Sequence, residues 1–208
     1  NGMKGIGIGS GLGGVINIKR GHYEFDMKGQ EGACIGSVNG DSELFIEYCD
    51  MDIYSGISNG TIIGSVNGDA DIKLENISAK LQGAGNVITG IGTIAGNSCM
   101  VRLENVNISS NIRAKECYGI GCRAGRTDIY IGYAAVKSVV QGKSAVAFGN
   151  SVMSAKLYCS NADVGTNAVT EFNSDIGALE KNIQLENGRA EFILNGQEIK
   201  RQILAARL

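Results

Sequence analysis

Apolar residues recur along this chain in pairs separated by one other residue, and the pairs recur about every 28 positions. One column reads Ile16, Leu44, Ile72, Val101, Ile129 and Leu157. Two residues later comes Ile18, Ile46, Leu74, Leu103, Ile131 and Cys159. Between them stand Asn17, Phe45, Lys73, Arg102, Tyr130 and Tyr158, mostly polar or aromatic. Such alternation marks a strand with one buried face. A second pair of columns follows: Cys49, Ile77, Val106, Ala134, Ala162, then Met51, Ala79, Ile108, Val136, Val164. The first unit is irregular there, with His22 and Glu24 in those slots.

Glycine punctuates the units. Gly9, Gly36, Gly64, Gly92, Gly121 and Gly149 each follow a large apolar residue, and GSVNGD is spelled twice, at 36–41 and 64–69. A second glycine follows four residues on, at Gly13, Gly40, Gly68, Gly96 and Gly125. The register needs one residue lost in the first unit and one gained in the fourth. Each unit then holds three short strands: one ending at the Ile-Gly step, one like DIKLE, one like ISAKL. One unit alone cannot bury its apolar face; stacked units share a core. The pattern predicts an all-β fold, a single-stranded parallel β-helix of about six coils, with GSVNGD as a corner between faces. Helical repeats are excluded by the period of two and by glycines that cost a helix about 1 kcal/mol each. A propeller needs units of roughly 40 residues or more.

Residues 1–170 carry the repeats. Residues 171–208 leave them and are expected to form a C-terminal cap or a junction to a further domain. There NIQLENGRAEFILNG predicts a hairpin with Asn187-Gly188 in its turn. QEIKRQILAARL predicts a helix, with Ile199, Ile203 and Leu204 at helical spacing. The chain opens in mid-pattern, so it is expected to be cut from a longer protein.

Composition narrows the function classes. The 208 residues include 31 glycines and neither proline nor tryptophan, and the net charge is -2. That balance offers no basic field for nucleic acid. No apolar run approaches the roughly 18 residues of a membrane span. The six cysteines form no C-x-x-C pair, and His22 is the one histidine, which argues against zinc. The cysteines are expected as small buried hydrophobes rather than disulfides, favouring a reducing compartment or an anaerobic source. No metal or cofactor is expected.

Units of the form G-x-x-IGS-x-x-G…I-x-L-x-N-x-x-I, as in GTIIGSVNGDADIKLENISAKL, resemble the glycine-rich repeats of parallel β-helix proteins with pectin-lyase-like architecture. The resemblance covers about residues 5–170 and identifies no single family. It implies a right-handed, three-faced coil. Members of that group include polysaccharide lyases, glycosidases, carbohydrate-binding surface proteins and adhesins, many of them bacterial and extracellular. The cysteine content departs from that habit and suits a cytoplasmic location.

The column Phe45, Lys73, Arg102, Tyr130 and Tyr158 places two cations and three aromatics in a line on one flat face. Beside it runs Lys19, Glu47, Glu75, Glu104, Gly132 and Ser160. Aromatics stack on sugar rings and charged groups bind hydroxyls or carboxylates, so the strip is a candidate polysaccharide site. An enzymatic version would use Glu75 and Glu104 as acid and base, or as calcium ligands of a lyase, with Arg102 as electrophile. The plainer alternative is alternating charge on a solvated face, where cross-strand pairs contribute roughly 0.2–1 kcal/mol. Nearly uniform units without a long insertion build no cleft, which argues against an enzyme.

Other motifs are weaker. Asp41, Glu43, Asp69 and Asp71 could offer oxygens to calcium, but acids after Asn-Gly are ordinary turn chemistry. GSGLGG at 9–14 is followed by a strand rather than a helix, so it is no dinucleotide loop. His22 lacks a nucleophile partner. Asn59, Asn76 and Asn107 head Asn-x-Ser/Thr triplets that fall in repeat slots. The expected function is a non-catalytic binding or spacer module of a bacterial protein, binding carbohydrate along one face. The alternatives are a polysaccharide lyase or glycoside hydrolase, and a ligand-free structural rod within an intracellular regulator. Partners would be a polysaccharide or another protein, with oligomers forming through the solenoid ends.

Overall fold

A computed structural model describes residues 2–151, 155–171 and 183–204. The chain is a parallel β-solenoid of about six turns with repeats near 28 residues, and the described residues contain no helix. Strand pairing bends around most corners without a break. β1 (Gly2–Ser10) is followed by β2 (Gly14–Asn39) and β3 (Ser42–Asn67), each of the latter spanning nearly a whole turn. β4 (Ala70–Gly132) runs through more than two turns. β5 (Ala135–Gly142), β6 (Ser144–Gly149) and β7 (Ala155–Thr170) continue the stack, and β8 (Ile183–Leu194) adds a further rung. Leu44 pairs with Ile72 and Ile129 with Leu157, so the apolar columns lie directly over one another. Leu44, Ile46, Ile72, Leu74 and Val101 have no exposed surface. Each such side chain contributes about 1.5–3 kcal/mol by leaving water.

Two glycine corners flank GSVNGD rather than one. Gly36 and Gly64 bend the chain with φ of 137° and 140°, and the paired backbone breaks four residues later, at Gly40 (φ 89°). The residue after the first glycine forms an internal polar spine: Ser37, Ser65, Thr93, Cys122 and Asn150 are fully buried. Ser37 Oγ donates to the Gly40 carbonyl at 2.8 Å, and Thr93 Oγ1 to that of Gly68 at 2.7 Å. Asn150 Nδ2 donates to the Gly125 carbonyl, also at 2.8 Å. These bonds give the corner carbonyls a partner from inside the coil.

A third corner is left-handed. Arg20, Tyr48, Asn76, Asn105, Tyr133, Asn161 and Asn187 all have φ between 46° and 58°. Asparagine tolerates this conformation because its short amide bonds locally. Asn105 Nδ2 donates to Asn76 Oδ1 at 2.5 Å, so the Asn76 triplet is a corner and ladder position.

Three expectations are corrected by the structure. The first unit is not irregular: Gly21, not His22, lies opposite Cys49, and Tyr23, not Glu24, opposite Met51. Tyr23, Phe25 and Met27 pack against the core. The missing residue is absorbed in the corner between Ser10 and Gly14, because Gly9 pairs 27 residues ahead and Gly14 pairs 28.

The tail also differs. Asn187-Gly188 is no hairpin turn; β8 pairs in parallel with β7 straight through it, and Asn187 is the left-handed corner. IQLEN at 183–187 repeats IKLEN at 72–76, which is why it docks as one more rung. The hairpin turn is Asn195-Gly196, with φ of 47° and 78°. The expected helix is instead β9 (Gln197–Leu204), antiparallel to β8. Residues 172–182 and 205–208 of the expected cap lie outside the described residues.

All six cysteines are buried and free. Burial pushes the thiols of Cys34, Cys117 and Cys122 up from 9.0 to about 11, and that of Cys159 to about 12. The folded chain therefore holds thiol protons that the unfolded chain releases. This contribution is intact below pH 9 and is lost as pH rises toward 11–12. A thiol reagent at pH 8 should label the native protein slowly and the urea-unfolded protein at once. Rapid native labelling of these four would contradict their burial.

Candidate functional site

The DIKLE strands build one flat face. Because side chains alternate, the middle residue of each apolar–other–apolar triplet points outward. Asn17 lies opposite Phe45, Phe45 opposite Lys73, and Tyr130 opposite Tyr158. Phe45 and Lys73, and likewise Tyr130 and Tyr158, are thus neighbours on the outward face, with steps of about 4.8 Å between coils, and Arg102 stands outward between the buried Val101 and Leu103.

The cationic half is internally neutralised. Lys73 Nζ lies 2.8 Å from Glu75 Oε2, and that hydrogen bond raises the lysine pKa. Arg102 Nη1 binds Asp71 Oδ1 at 2.7 Å, and its other terminal nitrogen lies against Met100 Sδ. Lys19 reaches Glu47 at 3.4 Å. Glu104 places its carboxylate over Gly132, where a Cβ would stand 2.2 Å from Oε2. Glu75 is thus engaged by a lysine of its own coil, whereas Glu104 reaches toward the next coil.

The aromatic half is more open. The rings of Tyr130 and Tyr158 have centroids 6.4 Å apart and are tilted by 47°. Tyr130 is 44% exposed. Tyr158 donates to Glu186 Oε2 at 2.5 Å, and this bond raises its pKa. A cleft of about 410 Å³ lies here, lined by Tyr130, Lys156, Tyr158, Ile183 and Gln184 together with Ile129 and Leu157.

Gln184 and Glu186 are not legible as site residues in the sequence because the repeat pattern weakens after residue 170, and Lys156 stands outside the outward column, opposite Asp128. The IQLEN echo was the available signal. Asp128, in the next outward column, was missed too: it is buried and accepts from Arg126 Nε at 2.8 Å, while its Oδ1 has no hydrogen-bond partner.

Of the acids weighed as calcium ligands, Asp41 and Asp69 lie in corners between strands, whereas Glu43 and Asp71 pair with each other in β3 and β4. Asp41 Oδ1 accepts from the Asp69 amide at 2.9 Å, and Asp69 Oδ1 from the amides of Asn97 and Ser98. Asp71 holds Arg102. No group of three potential metal ligands occurs among the described residues. His22 is exposed and bonds Glu24 at 3.1 Å. No described helix is long and apolar enough to cross a membrane. No protein-family model matches the chain, and no curated protein or solved structure is significantly similar to it.

Proposed function

We propose that this solenoid is a non-catalytic module that binds a glycan along the DIKLE face, with its main contact at the tyrosine end. The observation that carries the reading is the pair Tyr130 and Tyr158 beside an open cleft. Two rings one coil apart offer stacking platforms at a spacing close to that of successive sugar units, with Lys156 and Gln184 as hydrogen-bond donors at the rim. Phe45, Lys73, Arg102, Glu75 and Glu104 extend the strip. Glu75 is engaged by Lys73 rather than poised as acid or base, which supports binding over catalysis. The fold also supports placing the chain with pectin-lyase-like β-helices, a group in which such faces meet polysaccharide; the likeness is architectural.

A second reading is a ligand-free rod, favoured by the mutual pairing of Lys73 with Glu75 and Arg102 with Asp71. A glycan array separates the two. The wild type should bind one glycan class, and Tyr130→Ala with Tyr158→Ala should weaken that signal about tenfold, the equivalent of roughly 1.4 kcal/mol. A blank array with wild type removes the binder and leaves the rod.

A further inference from the structure

A second cleft, of about 630 Å³, lies away from the strip, where β4 and β6 run side by side. Tyr118 forms its wall, and Lys115, Arg123 and Lys143 stand in its lining. Glu116 pairs with Ser144, so Lys115 and Lys143, the residues just before them, occupy one slot of adjacent coils. Their backbones are one coil step apart, about 4.8 Å. Like charges set opposite each other on neighbouring strands destabilise a sheet. Yet neither lysine has a carboxylate partner among the described residues. The acid in the lining, Glu116, is already held by Arg123 Nε at 2.8 Å. Three cations against one carboxylate leave two uncompensated positive charges in the cleft of a chain whose net charge is -2.

Hydroxyls converge on the same cleft. Tyr118 is 2% exposed, and among the described residues its oxygen reaches only Ser151 Oγ, at 3.5 Å. That is the outer limit of a hydrogen bond, so the phenol is poorly satisfied for a buried group. Ser151 Oγ spends its own proton on the Arg123 carbonyl at 3.1 Å, and Ser144 also lines the cleft. A cleft with two spare positive charges and under-used hydroxyl donors suits a compact, doubly charged acceptor better than a flat, singly charged carboxylate.

We propose that this cleft binds a tetrahedral oxyanion, a phosphate or sulfate group, between Lys115 and Lys143, with Tyr118 and Ser144 donating hydrogen bonds. The proposal is independent of the glycan strip: the tyrosine variants there should leave it unchanged.

Calorimetric titration of the full chain with inorganic phosphate and with sulfate, at matched ionic strength and with chloride as control, tests it. Saturable binding of either oxyanion is expected, and the tighter of the two identifies the kind of ester. Lys115→Gln with Lys143→Gln should weaken it at least tenfold. Without oxyanion this double variant should melt no lower than wild type, because it relieves a repulsion; a merely structural role would lower the melting temperature. Tyr118→Phe should weaken binding severalfold with an unchanged circular dichroism spectrum. Binding no better than chloride, a double variant that binds as well as wild type, or glucuronate binding as tightly as phosphate would each overturn the proposal.

Discussion

Gly64→Ala is expected to unfold the middle of the solenoid, at a cost above about 4 kcal/mol. Two effects combine. Gly64 has φ of 140°, a region that residues with a side chain rarely enter. A Cβ there would also stand 1.8 Å from the Gly92 carbonyl oxygen and 2.8 Å from its carbon. Carbon and oxygen normally approach to about 3.3 Å, so the two coils would have to part by more than an ångström. The obstacle is backbone, tied into the ladder, and cannot swing aside as a side chain would. The same contact recurs at Gly9, Gly36, Gly92 and Gly121, each against the glycine of the next coil. Because each coil touches only its neighbours, a break in the third separates the halves of the rod. Gly165→Ala is the matching control. Nothing lies within 4 Å of its added Cβ, and its φ is not positive. It should leave stability unchanged or raise it by up to about 1 kcal/mol through the unfolded chain. Urea midpoints followed by circular dichroism check both; similar midpoints would mean that glycine stacking does not hold the coils together.

That glycine column was visible in the sequence because one physical demand, room for a neighbour's carbonyl, acts alike on every coil. The apolar columns were visible for a similar reason, since period-two alternation repeats wherever a face is buried. The internal spine was not. Serine, threonine, cysteine and asparagine all fill the slot of Ser37, Ser65, Thr93, Cys122 and Asn150, because each has to meet only the groups beside it. The left-handed corner was half visible: Asn76, Asn105 and Asn161 advertise it, but Tyr48 and Tyr133 do not. Tyr48 is retained there 54% exposed, with Arg20 lying 5.9 Å over its ring. At the tail, Asn187-Gly188 gave a local hairpin signal that outweighed the longer-range echo of IKLEN. A dipeptide tells which backbone angles are used, not whether the chain then reverses or merely turns a corner. At the candidate site the line of outward residues was legible, but its ion pairing was not. Lys73 chooses an acid of its own coil and Arg102 one of the preceding coil, a matter of side-chain reach that column order does not reveal.

Leu74→Ala should lower stability by about 3–4 kcal/mol, whereas Leu185→Ala, in the same column, should cost only about 1 kcal/mol. Leu74 has no exposed surface and pairs with Ile46 of the preceding coil. Truncating it opens a cavity whose roof and floor are hydrogen-bonded rungs about 4.8 Å apart. Those rungs cannot close on the space without breaking their ladder, which keeps the loss well within the range of about 2–5 kcal/mol seen for buried leucines. Leu185 pairs with Cys159 on one side but is only partly buried, on the rung where parallel stacking gives way to antiparallel β9. Less apolar surface is lost there, and the edge of the stack is free to relax. Chemical denaturation of the two variants beside wild type measures the difference. Equal losses would mean that the interior is not closed more tightly in the middle of the rod than at its end, and that a residue's column rather than its coil decides its contribution.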